Sequence, residues 1–287
     1  MQESRPNPWL YRFSLLVALF ALVLIGTGAF LTSSRKTAES TEQAATAAHT
    51  SAAAVQSHLL VLVIIIGILT LGLAVWLLLA DKRASLRWLS SSALVIFGLE
   101  GATAMLNSAA GVVIHACLAP LFFSTLVAIC VLLSPSWRKG AEPVDIRGWS
   151  RLRALAVAAP PAVLIQIALG AAYRHKVTSV MPHMAGAMIV SFLTLVVSVI
   201  ILQQYPDYRS LRSAAVAVLS IVLTQVTLGV TAFVLELLDI ADPEWLIVST
   251  VSHVLVGSLT LAATLVLAMQ TQRNIRPTSQ KPVAGTV

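Results

Sequence analysis

Apolar runs of membrane-spanning length dominate this sequence and limit what it can fold into. A helix needs about 20 apolar residues to cross a hydrocarbon core of about 30 Å. Because the lipid interior offers backbone groups no water to bond, each such run is predicted to be an α-helix. The predicted spans are residues 14–31, 59–80, 89–106, 109–133, 155–173, 181–202, 214–235 and 246–269. The predicted fold class is therefore all-α integral membrane, with eight transmembrane helices.

The charge distribution predicts the topology. Only 11% of the 287 residues are charged, with a net charge of +7, and 57% are hydrophobic. If the N-terminus is inside, the basic residues outside are only Arg35, Lys36, Arg174 and Lys176. This bias follows the positive-inside rule, so we expect both termini in the cytoplasm, a plasma-membrane location and no nucleic-acid partner. The first run shows no small-x-small cleavage site and is interpreted as a retained helix.

A polar connection at residues 134–152 divides the chain into two halves. Residues 1–133 form the N-terminal half and residues 153–272 the C-terminal half, followed by a cytoplasmic tail at 273–287. Each half holds four predicted helices, and this even number gives both the same orientation. We therefore predict parallel repeats, each packed as a four-helix bundle. The sequence Gln-x-x-Leu-Gly occurs at residues 166–170 and again at 225–229.

Four histidines recur near the start of the even-numbered spans: His58, His115, His183 and His253. Imidazole is costly inside a bilayer and needs a partner, for which a metal is a strong candidate. Even-numbered helices run inward, which places all four residues in the outer part of the membrane. Two imidazoles at equal depth on facing helices can bind both axial positions of one haem iron. We predict the pairs His58–His115 and His183–His253.

Two alternatives to haem remain open for these histidines. In the first, each histidine is only hydrogen-bonded to a neighbour, as is often the case in a membrane helix. In the second, the histidines bind zinc, which is less favoured because no Cys or carboxylate lies at a suitable spacing to be a further ligand. Room for a macrocycle is indicated by small residues one turn beyond the C-terminal pair, namely Gly186, Ala187 and Gly257. The C-terminal pair is therefore the better-formed predicted haem slot.

Glu100 is the carboxylate that lies deep in an apolar run. An intramembrane acid is a functional-site candidate, and we predict a catalytic role for it as a proton relay or as a hydrogen-bond partner of a histidine or haem propionate. The alternative is a protonated carboxyl group bonded to Thr103, Asn107 or the backbone.

This pattern resembles the haem A synthase family, integral-membrane proteins that serve cytochrome oxidase assembly. The resemblance covers residues 9–272 and rests on His58, His115, His183, His253 and the two Gln-x-x-Leu-Gly sequences. The chain differs at three positions: Val55 stands where many members have Glu, and Leu59 and Met184 where many have Arg.

The resemblance implies a function, cofactors and partners. His183 and His253 would hold a haem b, and His58 and His115 would bind haem O as the substrate. A porphyrin methyl group would be oxidised to a formyl group, giving haem A. Haem O synthase would supply the substrate, and an electron donor and membrane lipid would be further partners. Two other functions remain open, a bis-histidine b-type cytochrome and a haem-free assembly scaffold, as does a homo-oligomeric state.

Overall fold

Nine helices make up the part of the chain that the structure describes. This computed structural model describes residues 7–39, 44–106, 108–141, 144–145, 149–238 and 243–276. The helices are α1 (Pro8–Glu39), α2 (Ala44–Ala80), α3 (Ala84–Ala104), α4 (Ala109–Leu133), α5 (Pro135–Arg138), α6 (Trp149–Arg174), α7 (Val180–Gln204), α8 (Arg209–Leu237) and α9 (Pro243–Asn274). A two-residue strand β1 (Val144–Asp145) pairs in parallel with β2 (Ile275–Arg276).

Seven of the described helices are long and apolar enough to cross a membrane, so the chain is a multi-pass α-helical membrane protein. The exception among the long helices is α3, in which Arg87, three consecutive serines from Ser90 and Glu100 interrupt the apolar sequence. The predicted fold class is confirmed to this extent, and the eighth span stays a prediction. Residues 277–287 of the predicted tail lie outside the described residues.

The long helices form two rings of four. In the first ring α1 packs against α2 and α4, and α3 packs against α2 and α4. In the second ring α6 and α8 each pack against α7 and α9. Thus α2 and α4 occupy opposite corners of one ring, and α7 and α9 occupy opposite corners of the other.

The two rings meet along α4 and α9. Helix α9 packs against α1 and α4, and α4 also packs against α6. Leu126 and Ile129 of α4 are fully buried in the core of the first ring, to which α9 contributes Ala262. Since lipid is as apolar as these side chains, close van der Waals packing rather than exclusion of water holds such helices together.

Polar contacts join the two rings near the ends of their helices. At one end, the guanidinium group of Arg273 stacks on Trp137, 4.2 Å from the ring centroid, and donates to the Trp137 carbonyl. At the other end, Arg174 of α6 reaches α1 and donates to Ser33 Oγ at 2.7 Å. These contacts join the two rings at both membrane surfaces.

Candidate functional site

The second ring brings two histidines together at its centre. His183 lies on α7 and His253 on α9, the helices at opposite corners, and their ring centroids are 6.3 Å apart with an interplanar angle of 80°. Two imidazoles that share one metal ion at about 2 Å from each nitrogen have ring centres about 6 Å apart. The observed distance is therefore compatible with a single ion between these two rings.

The donor set at this site consists of two imidazoles. Within the described ranges, no group of three or more His, Cys, Asp or Glu side chains could hold a metal ion. A structural zinc site needs four protein ligands, whereas haem iron receives its equatorial ligands from the porphyrin and needs the protein only at its axial positions. Two facing histidines without further ligands thus suit haem iron better than a bare metal ion.

Gln166 of α6 holds His183. Its amide nitrogen Nε2 lies 2.9 Å from His183 Nδ1 and donates to the His183 backbone carbonyl at 2.8 Å. One amide group therefore bonds both the ring and the backbone of the same histidine. This double contact orients the imidazole on α7.

Gln225 of α8 stands in the corresponding place beside His253. His253 Nδ1 lies 3.2 Å from the Gln225 backbone carbonyl, which can only accept, so this nitrogen carries the proton. The neutral ring then has its lone pair on Nε2, which lies 3.3 Å from the amide nitrogen of Gln225. A hydrogen bond from Nδ1 to a backbone carbonyl is the usual arrangement for a histidine that binds a metal through Nε2.

Two glycines provide the space that the imidazole rings occupy. A Cβ atom on Gly170 would lie 2.8 Å from Cε1 of His183, and one on Gly229 would lie 2.8 Å from Cε1 of His253. Both distances are below normal carbon–carbon contact. Each ring thus packs directly on the backbone of the helix that also carries its glutamine.

The side-chain amides of the two glutamines pack against two more glycines. A Cβ atom on Gly186 would lie 2.2 Å from Oε1 of Gln166, and one on Gly257 would lie 3.1 Å from Nε2 of Gln225. The Oε1 atoms of both glutamines are buried without a hydrogen-bond partner. A buried acceptor without a partner is unusual in a native protein, which marks these two glutamines as features of the site.

In the first ring, Glu100 and His115 lie in contact. His115 Nδ1 is 3.2 Å from the Glu100 backbone carbonyl, 3.4 Å from Thr103 Oγ1 and 3.5 Å from Glu100 Oε1. The other carboxyl oxygen, Oε2, is buried without a hydrogen-bond partner. As at His253, a carbonyl holds Nδ1 and leaves Nε2 available as a ligand.

The pairing of His58 with His115 stays a prediction. His58 lies on α2 with an exposed side chain, and His115 lies on α4 with a half-buried one. These helices occupy opposite corners of the first ring, as α7 and α9 do in the second. The structure therefore places both residues in corresponding positions of the two rings, and the pair of histidine rings that it shows in contact is His183 with His253.

The sequence had indicated the glutamines as part of a repeated pattern without assigning them a contact. The signal was present in their spacing, since each lies four residues before the glycine that packs on the histidine. Gly186 and Gly257 were expected to make room for a macrocycle, and in the structure they accommodate the amides of Gln166 and Gln225.

No protein-family model matches the chain, and no curated protein matches its sequence. The fold and the site define the protein as a multi-pass helical membrane protein with a facing pair of histidines in one of its two helix rings.

Proposed function

We propose that this protein is a haem-binding membrane oxidoreductase of the haem A synthase type, which converts haem O to haem A for cytochrome oxidase assembly. The observation that carries this proposal is the facing pair of imidazoles, His183 and His253, at a separation of 6.3 Å on opposite helices of one ring. The resemblance of the histidine and glutamine pattern to that family supplies the substrate and the reaction.

Two features support the fit of haem b to the C-terminal pair. The ring centroids of His183 and His253 are 6.3 Å apart, a separation that one iron atom can bridge, and Gly170 and Gly229 leave room for the rings beside the neighbouring helices. When bound, haem b would supply redox chemistry, accepting and passing on electrons.

The residues of the chain orient this site. The Gln225 carbonyl holds the proton of His253 on Nδ1, so that the lone pair of the ring lies on Nε2. The Gln225 amide nitrogen, 3.3 Å from Nε2, would be displaced when iron binds there. Gln166 holds the His183 ring through Nδ1 and the His183 backbone at the same time. The apolar helices around them exclude water, which strengthens these polar contacts.

The substrate site is assigned to the first ring, where His58 and His115 would bind haem O. Glu100 is the acidic side chain in contact with His115, and its Oε2 atom has no hydrogen-bond partner. We assign it the role of accepting protons at Oε2 as the porphyrin methyl group is oxidised to the formyl group, with water as the source of oxygen. Because water supplies the oxygen, this oxidation releases four electrons and four protons for each methyl group, so an external electron acceptor is required. That acceptor and haem O synthase would be the functional partners.

The arrangement of the two rings supports the parallel repeat. Helices α1 to α4 follow the same order around the first ring as α6 to α9 do around the second. Where the rings meet, α1 packs against α9 and α6 packs against α4, so corresponding helices make corresponding contacts. On this basis α3, which corresponds to α8, is the eighth transmembrane helix. The positive-inside bias then puts both termini in the cytoplasm and the histidines near the outer surface of the plasma membrane.

A bis-histidine b-type cytochrome is the second candidate. It is favoured by the contrast between the two halves, because only the C-terminal pair of histidines is in ring-to-ring contact. Such a protein would pass electrons through one haem and would need no catalytic acid.

The test is haem content and haem conversion. Purified protein should show the Soret band of a six-coordinate b-type haem, and the band should be lost in His253→Ala but kept in His175→Ala, which changes a histidine in the α6–α7 connection. After co-expression with haem O synthase, chromatography of extracted haem should detect haem A or its alcohol intermediate. Unconverted haem O alongside an intact Soret band would favour the cytochrome, and a protein without haem would refute both proposals.

A further inference from the structure

A basic cavity lies where α2 meets α3, at the opposite end of these helices from the histidines. It has a volume of about 380 Å³ and is lined by Leu78, Lys82, Ala84, Arg87, Trp88 and Ser91. The cavity begins where the membrane span of α2 ends, at Ala80. It therefore lies at the boundary between hydrocarbon and headgroups.

The connection between the two helices is held in a fixed shape. Asp81 is 4% exposed and forms a bidentate ion pair with Arg83, with distances of 2.7 Å to Nη2 and 3.0 Å to Nε. Arg83 also donates to the Leu132 carbonyl at the end of α4 at 3.0 Å. Because Asp81 and Arg83 face the protein, Lys82 between them is exposed and lines the cavity.

The first turns of α3 supply the remaining polar groups. Ser91 lies four residues after Arg87 and three after Trp88, which puts it on the same face of the helix as both. Arg87 and Trp88 are exposed, and Trp88 exposes 74% of its surface. An exposed tryptophan beside a basic residue at the end of a span is typical of the membrane interface.

The two cations lining the cavity have no acidic partner among the described residues. The ion pairs described there join Arg83 to Asp81 and His115 to Glu100, and neither involves Lys82 or Arg87. The cavity thus combines two positive charges and a hydroxyl group with an apolar wall that includes Leu78.

We propose that this cavity binds the phosphate group of an anionic phospholipid. Lys82 and Arg87 would contact the phosphate, Ser91 would donate a hydrogen bond to it, and Trp88 and Leu78 would pack against the glycerol and upper acyl chain. Basic pockets between helices at the membrane surface favour anionic headgroups, and the apolar wall favours a lipid over free phosphate. The proposal depends on membrane insertion and is independent of the haem proposal.

Native mass spectrometry of the full chain in detergent tests this proposal. The protein is titrated with phosphatidylglycerol, with phosphatidylcholine and with inorganic phosphate, and lipid-bound species are counted. The double variant Lys82→Gln/Arg87→Gln should bind phosphatidylglycerol roughly 25-fold more weakly than wild type, at about fivefold for each cation removed. The matched control is Arg209→Gln/Arg212→Gln, which removes two charges at the start of α8, the corresponding place in the other ring.

The outcomes distinguish the occupants. The proposal is supported if the cavity variant binds phosphatidylglycerol more weakly than wild type. The control and the charge-conserving Lys82→Arg/Arg87→Lys variant should bind it as wild type does. Equal affinity of wild type and cavity variant overturns it, as does equal binding of phosphatidylcholine and phosphatidylglycerol by wild type. Displacement of the lipid by millimolar inorganic phosphate would assign the cavity to free phosphate and also overturn it. Thermal midpoints of all variants check that they remain folded.

Discussion

Replacing Gly170 with alanine tests whether the His183 ring is held where the structure places it. The new Cβ atom would lie 2.8 Å from Cε1 and 3.0 Å from Nδ1 of the ring. Carbon atoms pack at about 3.5–4.0 Å, so the ring would have to move by about 0.7 Å or more. Gln166 bonds the same ring at 2.9 Å and opposes that movement.

The expected change in the free energy of unfolding results from two opposing effects. Overpacking of this kind costs about 1–3 kcal/mol, whereas alanine is favoured over glycine in a helix by about 1 kcal/mol. Gly98→Ala is the matched control, because a Cβ atom at Gly98 of α3 meets no atom within 4 Å. The two variants share the gain in helix propensity, so their difference in unfolding free energy should be the overpacking cost alone, about 1–3 kcal/mol.

The assay has two readouts, the thermal midpoint in detergent and the haem content per protein from the Soret absorbance. Gly170→Ala should fall below Gly98→Ala in both, and Gly229→Ala should behave like Gly170→Ala because its Cβ atom would meet His253 at the same 2.8 Å. The reasoning would be refuted if Gly170→Ala matched the Gly98→Ala control in both stability and haem content.

Three further predictions test the remaining contacts. Gln166→Leu should lower stability and haem content more than Gln225→Leu, by about 1–2 kcal/mol in unfolding free energy. The Gln166 amide bonds both the ring and the backbone of His183, whereas the Gln225 amide makes a single contact of 3.3 Å with His253; equal effects would contradict this. Glu100→Gln should abolish conversion of haem O, measured by chromatography, while leaving the b-haem spectrum intact; full conversion would exclude the role assigned to Glu100. Asp81→Asn should lower the thermal midpoint at neutral pH because it removes the partner of Arg83. Burial raises the pKa of Asp81, but hydrogen bonds and charge from Arg83 outweigh it and hold that pKa below 3.8. The stability difference should therefore persist above about pH 4 and disappear as the pH falls through the lower folded-state pKa; a constant difference down to pH 2 would argue against this ion pair.

The sequence and the structure agree most closely on the helices. Apolar runs predict spans because a backbone in lipid must bond to itself, and that requirement acts locally, whatever the helices later pack against. Helix α2 is longer than the predicted span, because it begins at Ala44, well before the apolar run at residue 59. The eighth span was harder to judge because Arg87, Glu100 and the serines of α3 reduce its apolar character.

The contacts within the site required the tertiary structure. Spacing along the chain shows that Gln166 and Gly170 are four residues apart, but not that one bonds His183 while the other packs against it. Those contacts arise between α6 and α7 and depend on the rotation of each helix about its own axis. The sequence likewise singled out Glu100 but could not place it beside His115.

The amino-acid sequence by itself determined that the chain is helical and lies in a membrane, because hydrophobicity and backbone hydrogen bonding are properties of each segment alone. Which histidines face each other was decided only by tertiary packing, since α7 and α9 lie at opposite corners of their ring, with α6 and α8 between them. A separation of 6.3 Å between two imidazoles is a property of the assembled bundle, and it is this distance that makes a shared iron atom chemically reasonable.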